Sequence, residues 1–254
     1  MKVLVVGRGW TGAKVFAELV KRDVSASFVG HKHAIDILHD YDAVINCAGV
    51  TGVPNVDACE LDKRGTLEGN AVYPILLQQA CEKHGVRFAH FSSGCIYTGI
   101  IDDVNAEPNF FGSIYSVSKG VSDSYLKDKG LIFRIRMPFT AVDEPKNYLT
   151  KVRNYATTGK LYDSGKNSLT DLDEAVRVAC DLVLEEAPYG AYNLVNQGSV
   201  TMRELAALMK LNGAEWFSED EFARATRAGR STCVIPAFER MSPLDQALKK
   251  ALGL

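Results

Sequence analysis

The chain opens on an apolar run, Val3-Leu-Val-Val6, that passes directly into Gly7-Arg-Gly9-Trp-Thr-Gly12 and then into an amphipathic stretch over 13–21. That order of strand, glycine turn and helix constrains the fold more than any other feature of the sequence. A glycine at position 7 permits a tight turn, one at 9 lets a pyrophosphate approach the backbone, and one at 12 lets helix pack on strand. The first amides of the helix then face the anion. Gly7, Arg8, Gly9, Trp10, Thr11 and Gly12 are therefore the expected dinucleotide-binding loop. The competing reading, a glycine-rich turn without a ligand, does not use the strand and helix periods on either side.

The rest of the chain continues the alternation. Strands are expected at 3–6, 25–29, 43–47, 87–91 and 131–135, and helices at 12–22, 66–84, 113–129 and 171–186. Alternation of this kind implies right-handed βαβ units and a parallel sheet covered on both faces. The expected fold class is thus α/β, a Rossmann-type doubly wound parallel sheet with a small C-terminal lobe. Residues 1–137 are expected to form the nucleotide-binding domain, with a helix at 171–187 packing back on it. Residues 138–254, punctuated by Pro138, Pro145 and Gly159, would mainly build the substrate lobe, with a strand at 191–195 and a helix at 201–211. Ligands of such sheets bind at the carboxyl ends of the strands. The glycine loop, Asn46-Cys-Ala-Gly49 and Ser92-Ser-Gly-Cys95 all fall there.

A second constellation carries chemistry. Tyr115 and Lys119 stand four residues apart, and Ser93 lies 22 residues before Tyr115 at the end of an apolar run. Positions i and i+4 share a helix face, so the Lys119 ammonium is expected beside the Tyr115 phenol. A nearby cation favours the phenolate. Ser93 would hydrogen-bond the same substrate oxygen from the strand end.

Composition limits the partners. Hydrophobic content of 46% and charged content of 24% are ordinary for a soluble enzyme. The net charge of −2 and the lack of a basic stripe argue against nucleic acid as a partner. No apolar run approaches the roughly 20 residues that span a bilayer, and Met1-Lys2-Val3 enters a strand at once, so a cytoplasmic protein without a signal peptide is expected. Cysteines 47, 59, 81, 95, 180 and 233 lack C-x-x-C spacing and read as reduced thiols. Histidines 31, 33, 39, 84 and 90 show no ligand spacing either, so no metal is expected.

The cofactor can be narrowed. A site for NAD usually has an acid after the second strand that accepts from the ribose 2′-OH. Here Phe28-Val29-Gly30-His31-Lys32 ends that strand without one, and the first acid is Asp36. Arg8 and Lys32 would instead pair with a 2′-phosphate. NADPH is the expected cofactor in preference to NADH.

Taken together, these motifs resemble the extended short-chain dehydrogenase/reductases, and more closely the nucleotide-sugar 4-reductases of the dTDP-4-dehydrorhamnose reductase type. The resemblance is strongest to the bifunctional 3,5-epimerase/4-reductases of nucleotide-rhamnose synthesis. It runs through Asn46-Cys-Ala-Gly-Val-Thr-Gly-Val-Pro-Asn-Val-Asp57, Gly94-Cys-Ile-Tyr97, Pro108-Asn-Phe-Phe-Gly-Ser113, Arg134-Ile-Arg-Met-Pro138, Asn147-Tyr-Leu-Thr-Lys151 and Tyr192-Asn-Leu-Val-Asn196. The resemblance implies that Asn46, Ala48 and Gly49 help to hold the cofactor, with Tyr115 and Lys119. It implies that Val50, Thr51, Asn55, Ser93 and Cys95 meet a nucleotide sugar, and that the protein is a homodimer. It also makes Cys95 and Lys151 an acid–base pair for epimerisation. From the residues alone, Cys95 reads as a small buried hydrophobe and Lys151 as a surface helix residue. Arg230 is expected either to meet a substrate phosphate or to be a solvated arginine. Asn196 would touch the base or the lobe wall, and Asn70 would either position the cofactor-side loop or lie at the surface. Three functions stay open: epimerase/reductase, reductase alone, and a non-catalytic relative such as the regulatory subunit of methionine adenosyltransferase.

Overall fold

In the computed structural model, which describes residues 1–254, the glycine loop leads into a six-stranded sheet. Its order is Ser25–Val29, Lys2–Val6, Ala43–Asn46, Arg87–Ser93, Leu131–Ile135, Gly190–Asn193, and every pairing is parallel. Both faces of the inner strands are buried, which is why these segments read as near-continuous apolar runs. Val3, Val5, Ile45, Ala89 and Phe133 face the helices Trp10–Lys21 and Leu172–Leu184. Leu4, Val6, Val44, Phe88 and Ile132 face the helix Tyr73–His84 and the end of Ile114–Leu126. This is a Rossmann-type doubly wound α/β fold.

Lys2–Val6 has the second strand on one side and the third on the other. The winding direction therefore reverses at the first strand, and a crevice opens above it. The small lobe has its own core, in which Phe139, Leu149, Val152, Leu161, Leu205, Leu244 and Leu248 join the helices Tyr148–Thr158, Met202–Leu208 and Leu244–Leu252.

Two elements differ from expectation. The strand expected at 191–195 within the lobe is the sixth strand of the central sheet, Gly190–Asn193, paired with Leu131–Ile135. Period-2 patterning marks a strand but not the sheet it joins. The helix expected at 66–84 is broken into Lys63–Leu67, a π-helical turn Glu68–Val72, and Tyr73–His84. Pro74 explains the break: it has no N–H to donate, and its ring clashes with the carbonyl four residues earlier, which belongs to Asn70. Widening the turn relieves the clash, and such turns recur at functional sites.

The helix Ile114–Leu126 is locked to the sheet by a buried ion pair. Arg134 Nε donates to both Asp123 carboxylate oxygens at 3.1 and 3.0 Å, and Ser92 donates its hydroxyl to the same carboxylate. Asp123 is fully buried and Arg134 is 1% exposed. Removing one partner of such a pair costs about 3–5 kcal/mol, because the other charge is left buried alone. Asp123→Ala is expected to lose about that much in urea unfolding, and Asp123→Ala with Arg134→Met to recover most of it.

Candidate functional site

The carboxyl ends of the parallel strands all open on one edge, and the expected site residues lie there in three groups. The first is the glycine loop. Gly7 has φ +104°, and a Cβ on it would stand 2.5 Å from Ala48 N, so the loop is pressed against the end of the third strand. A Cβ on Gly12 would stand 2.0 Å from Gly7 O. Gly9 meets nothing within 4 Å, and the helix Trp10–Lys21 that it caps has no side-chain cap and no acid in its first turn. Its first amides thus look onto open space shaped for an anion. Arg8 is exposed and reaches Phe28 O at 3.5 Å, and exposed Lys32 lies in the turn after the second strand. These residues fit a dinucleotide carrying an extra phosphate.

The second group is the turn after the third strand. Asn46 is fully buried, accepts from Ala48 N at 3.0 Å and bonds His90 Nδ1 at 3.1 Å. Burial and the nearby Lys119 hold His90 well below its ordinary pKa, so that ring is neutral. Asn70, aimed inward by the π turn, accepts from Val50 N and donates to Val50 O, both at 2.8 Å. It is fully buried and clamps the backbone beside Gly49, so the surface reading of Asn70 is excluded. Thr51 accepts from Lys146 Nζ at 3.0 Å, and Asn55 reaches the Tyr155 hydroxyl at 3.4 Å. Both contacts span the cleft between the sheet edge and the small lobe.

The third group holds the expected proton donors. Ser113 caps the helix Ile114–Leu126, and the small residues Ser116, Ser118, Gly120 and Ser122 let that helix lie close to its neighbours. Tyr115 is half-buried, with Ser93 beside its hydroxyl and favouring the phenolate. Ser93 Oγ also accepts from Cys95 N at 3.1 Å, which shapes the turn presenting Cys95. One helical turn along, buried Lys119 donates to Phe91 O at 3.2 Å, and a Cβ on Gly49 would lie 3.3 Å from its Nζ. On the helix Tyr148–Thr158, half-buried Tyr148 lies near Cys95, and half-buried Lys151 lies near Lys146.

Residues 3–194 match the NAD dependent epimerase/dehydratase family. The chain belongs to this family. It is similar to an Arabidopsis thaliana trifunctional UDP-glucose 4,6-dehydratase/UDP-4-keto-6-deoxy-D-glucose 3,5-epimerase/UDP-4-keto-L-rhamnose-reductase, with 30% identity over 288 residues. That alignment takes in 100% of this chain and 42% of the plant enzyme, so the chain spans about two fifths of its relative. Two solved structures share the fold. One is the L780 UDP-rhamnose synthase of Acanthamoeba polyphaga mimivirus, with a TM-score of 0.85 and 24% identity over 99% of this chain and 98% of that one. The other is a dTDP-4-dehydrorhamnose reductase of Bacillus anthracis in complex with NADP, with a TM-score of 0.79 and 17% identity over 100% and 98%.

Three readings of this family member change once the geometry is known. The Tyr115 phenol is held above its ordinary pKa, not below it. Burial dominates, the neighbouring Cys95 adds to it, and Ser93 and Arg136 oppose it. Lys119 points to Phe91 and Gly49 instead, so its charge is not aimed at the phenol. Asn196 is not on the cleft wall. It is fully buried, accepting from Asp171 N at 2.6 Å and donating to Glu174 at 2.7 Å and to Ser242. Arg230 is not a free arginine: it is half-buried, and Asp57 takes its guanidinium at 2.8 Å. Arg136, which the residue pattern did not single out, donates to Cys95 Sγ at 3.3 Å. Its only signal in sequence is the alternation Arg134-Ile-Arg136 in an otherwise apolar stretch.

Burial lowers the Lys119 ammonium to about 8, with Asp123 and Cys47 opposing the shift. Its folded value is below the unfolded value of about 10.4, so the unfolded chain binds more protons between those two pH values and stability rises with pH across that window. Below about 8 the full cost is present. Lys119→Met is expected to flatten that rise and to stabilise the ligand-free protein at pH 7 by roughly 3 kcal/mol, read by urea unfolding at neutral and alkaline pH.

Proposed function

We propose that this protein reduces the C4 ketone of a nucleotide-linked 4-keto-6-deoxyhexose with NADPH, after inverting C3 and C5, and so forms a UDP- or dTDP-L-rhamnose-type sugar. The observation that carries the reading is that Ser93, Tyr115 and Lys119 stand together at the sheet's carboxyl edge, beside an open, uncapped helix N-terminus. The relatives' names supply the substrate class: a UDP-4-keto-6-deoxy-D-glucose epimerase and UDP-4-keto-L-rhamnose reductase in the plant enzyme, and a dTDP-4-dehydrorhamnose reductase bound to NADP.

In this reading Gly7, Gly9, Trp10, Thr11 and Gly12 cradle the diphosphate, while Arg8 and Lys32 take the 2′-phosphate. Asn46, Ala48 and Gly49 form the floor under the ribose and nicotinamide, and Lys119 holds the ribose hydroxyls. The cofactor supplies a hydride when bound. Tyr115 is the acid: a phenol kept protonated by burial has a proton to give when negative charge develops on the C4 oxygen. Ser93 bonds the same oxygen and so favours the charged transition state. Val50, Thr51 and Asn55 wall the sugar site.

A ketone at C4 acidifies the protons on C3 and C5, so inversion needs a base on one face and an acid on the other. Cys95 takes one of these roles and Lys151 the other. Burial, reinforced by Lys146, lowers Lys151 and brings its ammonium closer to proton exchange near neutrality.

Turnover of UDP- and dTDP-4-keto-6-deoxyglucose with NADPH in deuterated water is the direct test. Deuterium at C3 and C5 of a reduced product is expected. Reduction without deuterium would leave a 4-reductase only. Tyr115→Phe should lower kcat by about 10²–10⁴ with NADPH affinity unchanged, and full retention of NADPH consumption would rule out Tyr115 as the acid. Arg8→Ser with Lys32→Glu should cut the NADPH-over-NADH preference in kcat/KM by about tenfold or more, since a charge-assisted phosphate contact is worth roughly 1.5–3 kcal/mol.

A further inference from the structure

We infer that Arg136 is a positioning residue for the epimerisation step: its guanidinium holds the Cys95 sulfur and supplies the positive charge against which the thiolate form is kept. The inference rests on the proposed acid–base role of Cys95.

Arg136 is 1% exposed and has no carboxylate partner. Its Nη1 donates to Gly94 O at 3.3 Å, Cys95 Sγ at 3.3 Å and Ser231 Oγ at 3.2 Å. Its Nη2 donates to Ser231 O at 2.7 Å and to Asn167 Oδ1, and its Nε has no partner at all. Arg134, two residues earlier, has Asp123 against it. A guanidinium does not shed its proton, and a buried cation without an anion is costly by several kcal/mol. Among the groups Arg136 bonds, Cys95 alone can take up negative charge. Arg136 is too buried to reach a ligand itself, whereas Cys95 is half-buried at the cleft. Among the groups it bonds, the charge reaches the cleft through the sulfur; through space it also lowers Tyr115 and Tyr148 against the effect of their burial.

The other groups facing Cys95 do not compete for this role. Tyr115 comes from the helix Ile114–Leu126, Tyr148 from the helix Tyr148–Thr158, and Cys233 from the strand Cys233–Val234. Burial pushes Tyr148 up to about 12 and Cys233 up to about 11, and Tyr115 higher still, so all three are neutral at pH 7. In the step, the Cys95 thiolate takes the proton from the carbon beside the ketone and becomes the thiol. The C–H electron pair passes into the enolate. An acid on the opposite face returns a proton to that carbon, and exchange with solvent restores both groups. The guanidinium keeps its charge throughout.

The test is the rate of iodoacetamide alkylation of the full-length protein against pH, with Cys95 followed by peptide mass spectrometry and folding checked by circular dichroism. Arg136→Gln is expected to slow Cys95 alkylation at pH 7 by about tenfold or more and to move its midpoint up by about a pH unit or more, because thiolate fraction sets the rate. Asn167→Asp, which places a carboxylate beside the guanidinium, should shift the midpoint the same way and keeps the test decisive if Arg136→Gln does not fold. Unchanged alkylation in a folded Arg136→Gln or in Asn167→Asp overturns the inference. The proposed function fails separately: Arg136-dependent alkylation with no deuterium at C3 or C5 keeps the coupling and removes epimerisation, and deuterium with Arg136-independent alkylation does the reverse.

Discussion

The ion pair between Asp123 and Arg134 sets the register on which the site depends. It ties the far end of the helix Ile114–Leu126 to the strand Leu131–Ile135, while Ser92 ties the same carboxylate to the strand Arg87–Ser93. Eight residues earlier on that helix, Tyr115 comes beside Ser93, and between them Lys119 donates to Phe91 O. Three consecutive strand residues, Phe91 to Ser93, thus engage one helix at three points. A slip of one residue would break all three contacts at once, and the buried charges would be the costliest to separate.

Burial, more than pairwise attraction, sets the electrostatics above that anchor. It raises Tyr115, lowers Lys119 and Lys151, and keeps His90 neutral. A phenol that stays protonated and a lysine brought near neutrality are both useful for moving protons at physiological pH. Arg136 is the exception, since a guanidinium cannot relieve its burial by deprotonating.

Much of this was readable from residues alone. The glycine loop announced the first βα unit because each glycine answers a local steric need: a positive φ at Gly7 and a close approach at Gly12. The i, i+4 spacing placed Tyr115 and Lys119 on one helix face. It did not say where either side chain points, and the expectation that the ammonium acidifies the phenol failed for that reason. Asn196 looked like a wall residue until its partners Asp171, Glu174 and Ser242, 22 to 46 positions away, were seen to use its amide fully. Arg230 likewise finds Asp57 across 173 positions.

Local sequence by itself determined the alternating strands and helices, the glycine turn, and the candidate proton donors, because short-range sterics and hydrophobic period govern those. Tertiary structure alone decided that Gly190–Asn193 closes the main sheet, that the Pro74-induced π turn aims Asn70 at Val50, and that Arg136 lies against Cys95. Those outcomes turn on which distant groups share a buried volume, where an unpaired charge or amide is expensive. No period or spacing along the chain encodes that.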